Sequence, residues 1–549
     1  MYYRNMKKHI NHNHIYEKYI IVLLLIFVFL LRMHNISERT FELWDEGWYI
    51  SSSGSALVFL DYILKNTDKI MDGNFDFEGL RKKVRSNAPV PFGGDGKPVV
   101  SIVFLIGLVI GGFDQFSIFF EMIIISLAAM YINYLIGSFL FDRRIGIMAA
   151  IFFAMSGIIA YFSRSCMPQM IMVLFCLIAF YASLRINEKP WMATVFGISS
   201  ALAFFTHPAS GPLLVSIWGF VILSICRNRI NMRTKLFKIF ISVIIPALIF
   251  IFIAELPNVA FKSQLGEGEY VSYFSNLYSR GKDHSDTIFQ TIHQIPNLFY
   301  NIWESEYLMI LFAIIGAIIL IMKYLKNKEI IILIIPTAFV SIYFLMGISY
   351  RFRIFIVIYP FLHLMAGLGF VKSYEFLSNL NIQYRPVTKT IYAAILVIII
   401  LHGTKLSIQC ENTNKESFLK ICSGLNDYLS KLPNDEKREV SFYQGDISTW
   451  FYYYFTERRT RRLYPSLTKS MVWDWRRKRP NQPDYGDFFI TVEDKCRTHR
   501  ISKHEYDDIT NKRLPIMEVP FDLISRCDDY SVTTFNKSRV IIKVFDLKS

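Results

Sequence analysis

The sequence has little charge for its length. Asp, Glu, Lys and Arg make up only 19% of its 549 residues, whereas 53% are hydrophobic, and the mean hydropathy is +0.31. A soluble multidomain protein of this size needs a larger polar surface than this composition provides. The composition therefore excludes that class and indicates a polytopic α-helical membrane protein.

Cysteine is scarce as well, with seven residues and no C-x-x-C spacing of the kind that holds structural zinc. Four cysteines lie in the polar C-terminal part: Cys410, Cys422, Cys496 and Cys527. If this part is exported, up to two disulfides can form there, with three connectivities that the spacing leaves open.

Acidic residues are fewer than basic ones, 45 against 60, which gives a net charge of +15. The basic residues do not cluster in one domain, as they would in a nucleic-acid-binding protein. Many lie in short loops between apolar runs, where they set topology and meet anionic headgroups. We therefore expect membrane lipids, and no nucleic acid, as partners.

No small-residue cleavage site follows the first apolar run, YIIVLLLIFVFLL (19 to 31), which is preceded by Arg4, Lys7, Lys8 and Lys18. This pattern predicts a retained signal-anchor with a cytoplasmic N-terminus. The Lys-, Asn- and Ile-rich composition favours the cytoplasmic membrane of a bacterium or archaeon over an endoplasmic reticulum.

Apolar runs of about 17 to 25 residues predict about eleven transmembrane helices. They lie at 17–36, 116–138, 145–163, 168–186, 191–207, 210–226, 236–255, 306–323, 329–348, 353–372 and 388–406. The run at 99 to 113 has only 15 residues with three glycines, which is typical of a surface or re-entrant helix. If it lies on the outer surface, the basic loops all fall on the cytoplasmic side, as the positive-inside rule requires.

Two large loops, at 37–115 and 256–305, then face outward, as does the chain after about 407. We predict a transmembrane domain over 1–406 with outer juxtamembrane helices, and a second domain over 407–549. No internal repeat or low-complexity linker divides the chain further.

The C-terminal part has short apolar segments separated by polar residues, in place of the long apolar runs of the preceding chain. EVSFYQ (439 to 444), DFFITV (487 to 492) and RVIIKVFDL (539 to 547) predict strands, and ISTWFYYYFTER (447 to 458) predicts an amphipathic helix. We therefore predict an extracytoplasmic α/β domain here.

Ionisable side chains from five separate segments collect on the predicted outer face: Asp45, Glu46, Lys97, Arg164, His207, Arg351 and Arg353. Each is a functional candidate, because such groups are costly at a membrane. A carboxylate among cations fits a reaction on an anionic lipid headgroup, in which cations bind the phosphate and the carboxylate accepts a proton. The alternative is that the cations are interfacial anchors and that the acidic pair stabilises a helix N-terminus.

The acidic pair stands in FELWDEGWYI (41 to 50). Asp45 and Tyr49 are four residues apart and share a helical face, whereas Glu46 is rotated by about 100° from Asp45. One carboxylate can then face the substrate while the other orients backbone or a neighbouring side chain.

GGDGKP (93 to 98) is not a phosphate-binding P-loop, because Pro98 occupies the Ser/Thr position and the glycine spacing is wrong. Lys97 can still reach a phosphate from the start of the surface helix, where Pro98 suits the first turn.

No metal site is assigned and no cofactor is required. HINHNH (9 to 14) is interpreted as a cytoplasmic tail rather than a metal site. Binding of a divalent cation stays an open alternative for two acidic segments of the outer loops, DGNFDFE (72 to 78) and DHSD (283 to 286).

Four pieces together carry a family resemblance: LRMHNISERTFELWDEGWY, GKPVVSIVFLIG, YFSRSCMPQM and YRFRIFIVIYPFLHLMAG. In this order the chain resembles the integral-membrane glycosyltransferases of the GT-C fold, specifically glycosyltransferase family 39 with its protein mannosyltransferases and aminoarabinose transferases. The resemblance implies a polyprenyl-phosphate-linked sugar as donor and a hydroxyl on lipid, protein or glycan as acceptor.

By the same resemblance, Asp45 with Glu46 is the catalytic acidic pair: Asp45 is the base and the reaction inverts the anomeric centre. Lys97, with Arg351 or Arg353, stabilises the leaving polyprenyl phosphate. Arg164 is a further candidate for the phosphate, and Tyr49, Gln169 and His207 are candidates for orienting the substrates.

Two departures from the family affect these roles. Trp48 stands where many relatives have a basic residue, so one phosphate contact must come from elsewhere. Gln169 stands where relatives commonly have an acidic residue, and an amide cannot accept the proton.

Two other functions fit part of the pattern. A lipid-linked glycan flippase or transporter would use the outer charges to line a path, and transporters tend to show paired halves. A glycan polymerase would share the large outer loops but would not need the DEGWY position.

Overall fold

Helices make up most of the computed structural model. The structure describes residues 2–39, 46–72, 97–112, 114–227, 231–252, 295–325, 327–345, 352–380, 385–409, 414–431, 438–442, 470–472, 488–492, 512–523 and 538–546.

The first eleven helices belong to the N-terminal half of the chain. They are α1 (Tyr2–Met33), α2 (Glu46–Lys65), α3 (Thr67–Met71), α4 (Pro98–Gly111), α5 (Gln115–Leu140), α6 (Arg143–Met155), α7 (Gly157–Phe162), α8 (Gln169–Arg185), α9 (Met192–Thr206), α10 (Gly211–Arg227) and α11 (Met232–Phe250).

The later helices are α12 (Ile295–Tyr324), α13 (Ile331–Leu345), α14 (Tyr359–Leu380), α15 (Arg385–Gln409) and α16 (Asn414–Ser430). Short 3₁₀ turns lie at Ile36–Glu38, Pro208–Ser210, Lys328–Ile330 and Phe352–Ile358.

Polar side chains fix the starts of several helices. Asp114 accepts from the Phe116 amide at 3.0 Å before α5, and Asp142 accepts from the Ile145 amide at 3.0 Å before α6. Each cap satisfies an amide that has no partner inside its helix. The caps therefore explain why the apolar runs begin as helices where they do.

In each of the eleven predicted apolar runs, most of the described residues are helical. One run, 145–163, is divided at Ser156, whose extended backbone ends α6 and whose hydroxyl caps α7. Within the described residues, five helical segments are long and apolar enough to cross a membrane: 115–140, 208–227, 306–324, 354–379 and 385–408. The chain is thus a helical membrane protein with several spans, and the number eleven stays a prediction.

Helix α4 is shorter than the helices that could cross a membrane. Its 14 residues extend about 21 Å, less than the roughly 30 Å hydrocarbon core. Its start contacts α2, and its end leads into α5, where the Gln115 side chain donates to the Arg39 carbonyl just after α1. Ile106, Val109 and Ile110 form an exposed apolar stripe on it. The helix predicted over 99–113 is therefore present, and its position at the membrane surface stays a prediction.

Several predicted cytoplasmic basic residues meet at the opposite end of the bundle. Arg143 pairs with Glu17 at 3.0 Å, and the cations of Arg185 and Lys328 lie 5.6 and 4.5 Å from the Phe139 ring centroid. These basic residues, which the sequence assigns to the cytoplasmic side, therefore lie at the same end of the helical bundle.

The C-terminal part contains a five-stranded mixed sheet with strand order β2-β1-β3-β5-β4. The strands are β1 (Arg438–Phe442), β2 (Ser470–Val472), β3 (Phe488–Val492), β4 (Met517–Leu523) and β5 (Ser538–Asp546). β1 is parallel to β2 and β3, and β5 is antiparallel to β3 and β4. The predicted strands correspond to β1, β3 and β5, while the predicted helix at 447–458 lies outside the described residues.

Helix α16 packs on β4 of this sheet. The Ser417 hydroxyl donates to the Pro520 carbonyl at 2.7 Å, and Phe418, Ile421 and Leu425 are buried. Cys422 is buried in the same helix, and the other three C-terminal cysteines lie outside the described residues. The predicted disulfides therefore stay a prediction, as does the extracytoplasmic location of this part.

Two glycines allow α12 and α14 to pack backbone to backbone. A Cβ on Gly316 would lie 1.9 Å from the Met365 carbonyl oxygen, and one on Gly369 would lie 2.0 Å from the Phe312 carbonyl oxygen. Backbone atoms cannot move aside as a side-chain tip can. The two helices therefore depend on both glycines.

We expect Gly369→Ala to lower the unfolding temperature, because overpacking of this kind costs about 1–3 kcal/mol. Thermal unfolding of the purified protein in detergent measures the change. Gly219→Ala on α10 is the matched control, since a Cβ there meets nothing within 4 Å and should leave the unfolding temperature equal or higher. Equal unfolding temperatures for Gly369→Ala and wild type would contradict the prediction.

Candidate active site

Glu46 begins α2 and is fully buried. Its Oε1 accepts a hydrogen bond from the Cys166 backbone N–H at 2.8 Å. Glu46 thus contacts backbone, as the sequence predicted for one of the two adjacent carboxylates. Asp45, the other member, lies outside the described residues and stays the predicted base.

Lys97 meets Tyr49 one helical turn after Glu46. Its ammonium donates to the Tyr49 hydroxyl and lies 4.8 Å from the centroid of the ring. Tyr49 is only 2% exposed, so its ring and hydroxyl form a fixed support for the cation. Ser52 and Ser101 make a second contact between α2 and α4 at 3.0 Å. Pro98 opens α4 at its first position, as predicted.

The loop Ser163–Pro168, between α7 and α8, carries Arg164. The guanidinium is fully buried and donates to the carbonyls of His34 at 2.7 Å and Ser407 at 2.9 Å. Arg164 thus clamps this loop to the ends of α1 and α15. Its predicted role with the donor phosphate stays a prediction beside this structural contact.

Cys166 lies in the same loop, outside the spanning helices. Burial raises the pKa of its thiol well above the usual range, the Glu46 carboxylate raises it further, and Arg39 opposes them. The thiol is therefore protonated at neutral pH and is not a nucleophile.

Gln169 begins α8 directly after this loop and is 1% exposed. Its Oε1 has no hydrogen-bond partner in the part of the chain that the structure describes. His207 follows α9, and its Nδ1 accepts from the Ala209 amide at 3.2 Å, which fixes the turn Pro208–Ser210. Their predicted roles in orienting substrates remain predictions.

Arg351 and the side chain of Arg353 lie outside the described residues. The 3₁₀ turn Phe352–Ile358 contacts α8 and the turn after His207. The backbone that follows Arg351 therefore lies against α8 and the turn Pro208–Ser210.

These contacts bring together the starts of α2, α4 and α8 at the end of the bundle where α1 finishes. Sequence reasoning missed Arg39, which is buried with its guanidinium 5.3 Å from the Tyr161 ring centroid. The signal was present, since Arg39 lies in the same quoted segment as the acidic pair. The described residues contain no group of three His, Cys, Asp or Glu that could hold a metal ion.

Comparison with known proteins supports the resemblance. Residues 95–254 match the model of the dolichyl-phosphate-mannose-protein mannosyltransferase family. No curated protein sequence matches the chain.

Solved structures share the fold at low sequence identity. Apo ArnT from Cupriavidus metallidurans is 10% identical with a TM-score of 0.54, and the match covers 95% of this chain and 97% of that one. ArnT bound to undecaprenyl phosphate has the same identity and coverage with a TM-score of 0.51. The apo Archaeoglobus fulgidus oligosaccharyltransferase is 12% identical with a TM-score of 0.50 over 80% of this chain.

The chain spans only 63% of the length of the oligosaccharyltransferase, whereas it spans nearly all of ArnT. The predicted resemblance is thus confirmed: the chain has the GT-C fold of ArnT, and over residues 95–254 it is similar to the dolichyl-phosphate-mannose-protein mannosyltransferase family.

Proposed function

We propose that this protein is a glycosyltransferase that moves a sugar from a polyprenyl-phosphate donor to an acceptor hydroxyl at the outer face of the membrane, with inversion. The contact between Lys97 and Tyr49 carries this proposal. It places a cation beside the first turn of α2, which begins directly after Asp45. A cation next to a carboxylate segment suits a reaction that releases a phosphate.

In the proposed reaction, the acceptor oxygen attacks the anomeric carbon and the bond from that carbon to the phosphate oxygen breaks. Asp45 takes the acceptor proton, and polyprenyl phosphate leaves with the electron pair. Lys97, with Arg351 or Arg353, stabilises the charge that develops on the leaving phosphate. Glu46 does not compete for the proton-accepting role, because its carboxylate is buried on the Cys166 amide.

The lipid donor is supported by the fold. ArnT has been solved with undecaprenyl phosphate bound, and its fold covers 95% of this chain. A donor of this kind suits the outer face of a cytoplasmic membrane, where nucleotide sugars are absent. In this orientation the N-terminus is cytoplasmic and the C-terminal α/β part is extracytoplasmic. The acceptor is a hydroxyl group on a lipid, protein or glycan. Whether sugar transfer depends on a divalent cation is tested with a chelator.

Purified protein supplied with radiolabelled polyprenyl-phosphate sugars and cell-envelope acceptors should move the label out of the donor lipid. EDTA in a parallel reaction tests the divalent cation. Label that stays on every donor would contradict the proposal. Flux of intact lipid-linked sugar across proteoliposomes, without transfer, would instead support the transporter function.

A further inference from the structure

Glu306 is a buried carboxylate that the proposed reaction does not use. It lies in α12 where the apolar span begins, is 7% exposed, and departs from helical backbone angles there, with φ −141° and ψ 31°. A buried carboxylate in a membrane protein is costly unless it is well hydrogen-bonded. Its partners therefore indicate what it is for.

Three hydrogen-bond donors to this carboxylate lie at the start of α7. The Ser156 hydroxyl and the backbone N–H groups of Gly157 and Ile158 donate to the Glu306 carboxylate. The first amides of a helix have no partners inside it. Glu306 thus caps α7 from another helix and fixes it to α12.

Helix α7 has only six residues and runs directly into the loop that carries Arg164 and Cys166. On its other side it packs against α15, where Leu406 lies 2.9 Å from the Cβ that Gly157 would carry. Arg164 then ties the loop to the Ser407 carbonyl of the same helix. A short helix held between α12 and α15 therefore determines where the loop lies.

The loop in turn meets the acidic segment through the hydrogen bond from the Cys166 N–H to Glu46. A continuous series of contacts thus joins Glu306, α7, Cys166 and the start of α2. We propose that Glu306 is a positioning residue: by capping α7, it holds the loop that orients Glu46, the residue next to the proposed base, for sugar transfer. This inference rests on the proposed function.

Three variants test the inference by kinetics. Glu306→Ala removes all three hydrogen bonds and should lower kcat about 10- to 100-fold, because small displacements of a reacting group have effects of this size. The KM for the donor should stay within about twofold, since Lys97 is not held by this loop. Glu306→Gln keeps one acceptor oxygen and Ser156→Ala removes one donor, so both should lower kcat less than Glu306→Ala.

Labelling of Cys166 by N-ethylmaleimide, followed by peptide mass spectrometry of the full chain, gives a second readout that needs no activity. Wild-type Cys166 is buried and should be protected. Glu306→Ala should label about tenfold faster, because the loop opens more often, and Glu306→Gln should retain most of the protection. Unfolding temperatures show whether each variant is folded.

Glu188→Ala is the matched control. Glu188 pairs with Arg185 at 3.2 Å at the opposite end of α8 and is half exposed. It should change neither kcat nor Cys166 labelling. Wild-type kinetics and wild-type Cys166 protection in folded Glu306→Ala would overturn the inference. Absence of transfer by the wild type would instead contradict the proposed function, and Cys166 labelling would still decide whether Glu306 holds the loop.

Discussion

Asp45→Asn should lower kcat by about 100- to 10,000-fold while the protein remains folded. A positioned general base contributes this much, and asparagine keeps the shape of the side chain without its ability to accept a proton. The KM for the donor should change little, because the cations, not this carboxylate, bind the phosphate. The variant is assayed with the radiolabelled donor that the wild type uses.

Asp61→Asn is the control for Asp45→Asn, since Asp61 lies on α2, which begins directly after Asp45, and makes an exposed pair with Lys65 at 2.9 Å. Such a pair contributes little, so turnover and stability should stay at wild-type values. Wild-type turnover by Asp45→Asn would remove Asp45 from its role as base.

Glu46→Ala distinguishes the two members of the acidic pair. It leaves the buried Cys166 amide without its Glu46 acceptor, which should destabilise the protein by about 1–3 kcal/mol. Thermal unfolding measures this loss. A variant at Asp45 should therefore affect turnover with little change in stability, whereas a variant at Glu46 should affect stability as well.

The helical fold was predictable because long apolar runs leave a membrane-spanning chain few alternatives. The surface position predicted for α4 has a different basis: the positive-inside rule places the basic loops on the cytoplasmic side only if this helix does not cross the membrane. The division at Ser156 was not predictable, because the run from 145 to 163 is continuously apolar and the cap depends on Glu306, 150 residues away.

In the C-terminal part, alternation and β-branched residues predicted β1, β3 and β5. β2 has only three residues, which is too short for a periodic signal. β4 contains Pro520, and a proline usually indicates that a segment is not a central strand. Proline is tolerated in an edge strand, and β4 lies at the edge of the sheet.

The candidate site shows the same limits. The acidic pair at 45 and 46 and Lys97 in the GKP segment were predicted to share the outer face, and the structure joins Lys97 to the first turn of α2, one turn after Glu46, through Tyr49. The structural contacts of Arg164 were not predictable, because its acceptors are backbone carbonyls of distant helices. A sequence pattern indicates which side chains are charged, but not which of them the fold uses internally.

Lys97→Met should lower kcat by about 100- to 1,000-fold, the effect of removing one group that stabilises developing negative charge. Methionine fills a similar volume and keeps the apolar contact with the Tyr49 ring, so the unfolding temperature should change little. Because the leaving phosphate carries more charge in the transition state than in the donor, kcat should fall more than the donor affinity.

Two variants identify the source of this effect. Lys65→Met makes the same change at the far end of α2, where the side chain is exposed, and should leave turnover unchanged. Tyr49→Phe keeps the ring beneath the ammonium but removes the hydroxyl that Lys97 contacts, so it should lower kcat less than Lys97→Met does. If Lys97→Met retains wild-type kcat, the cation is only an anchor for α4, and the leaving phosphate must be stabilised by Arg351 or Arg353.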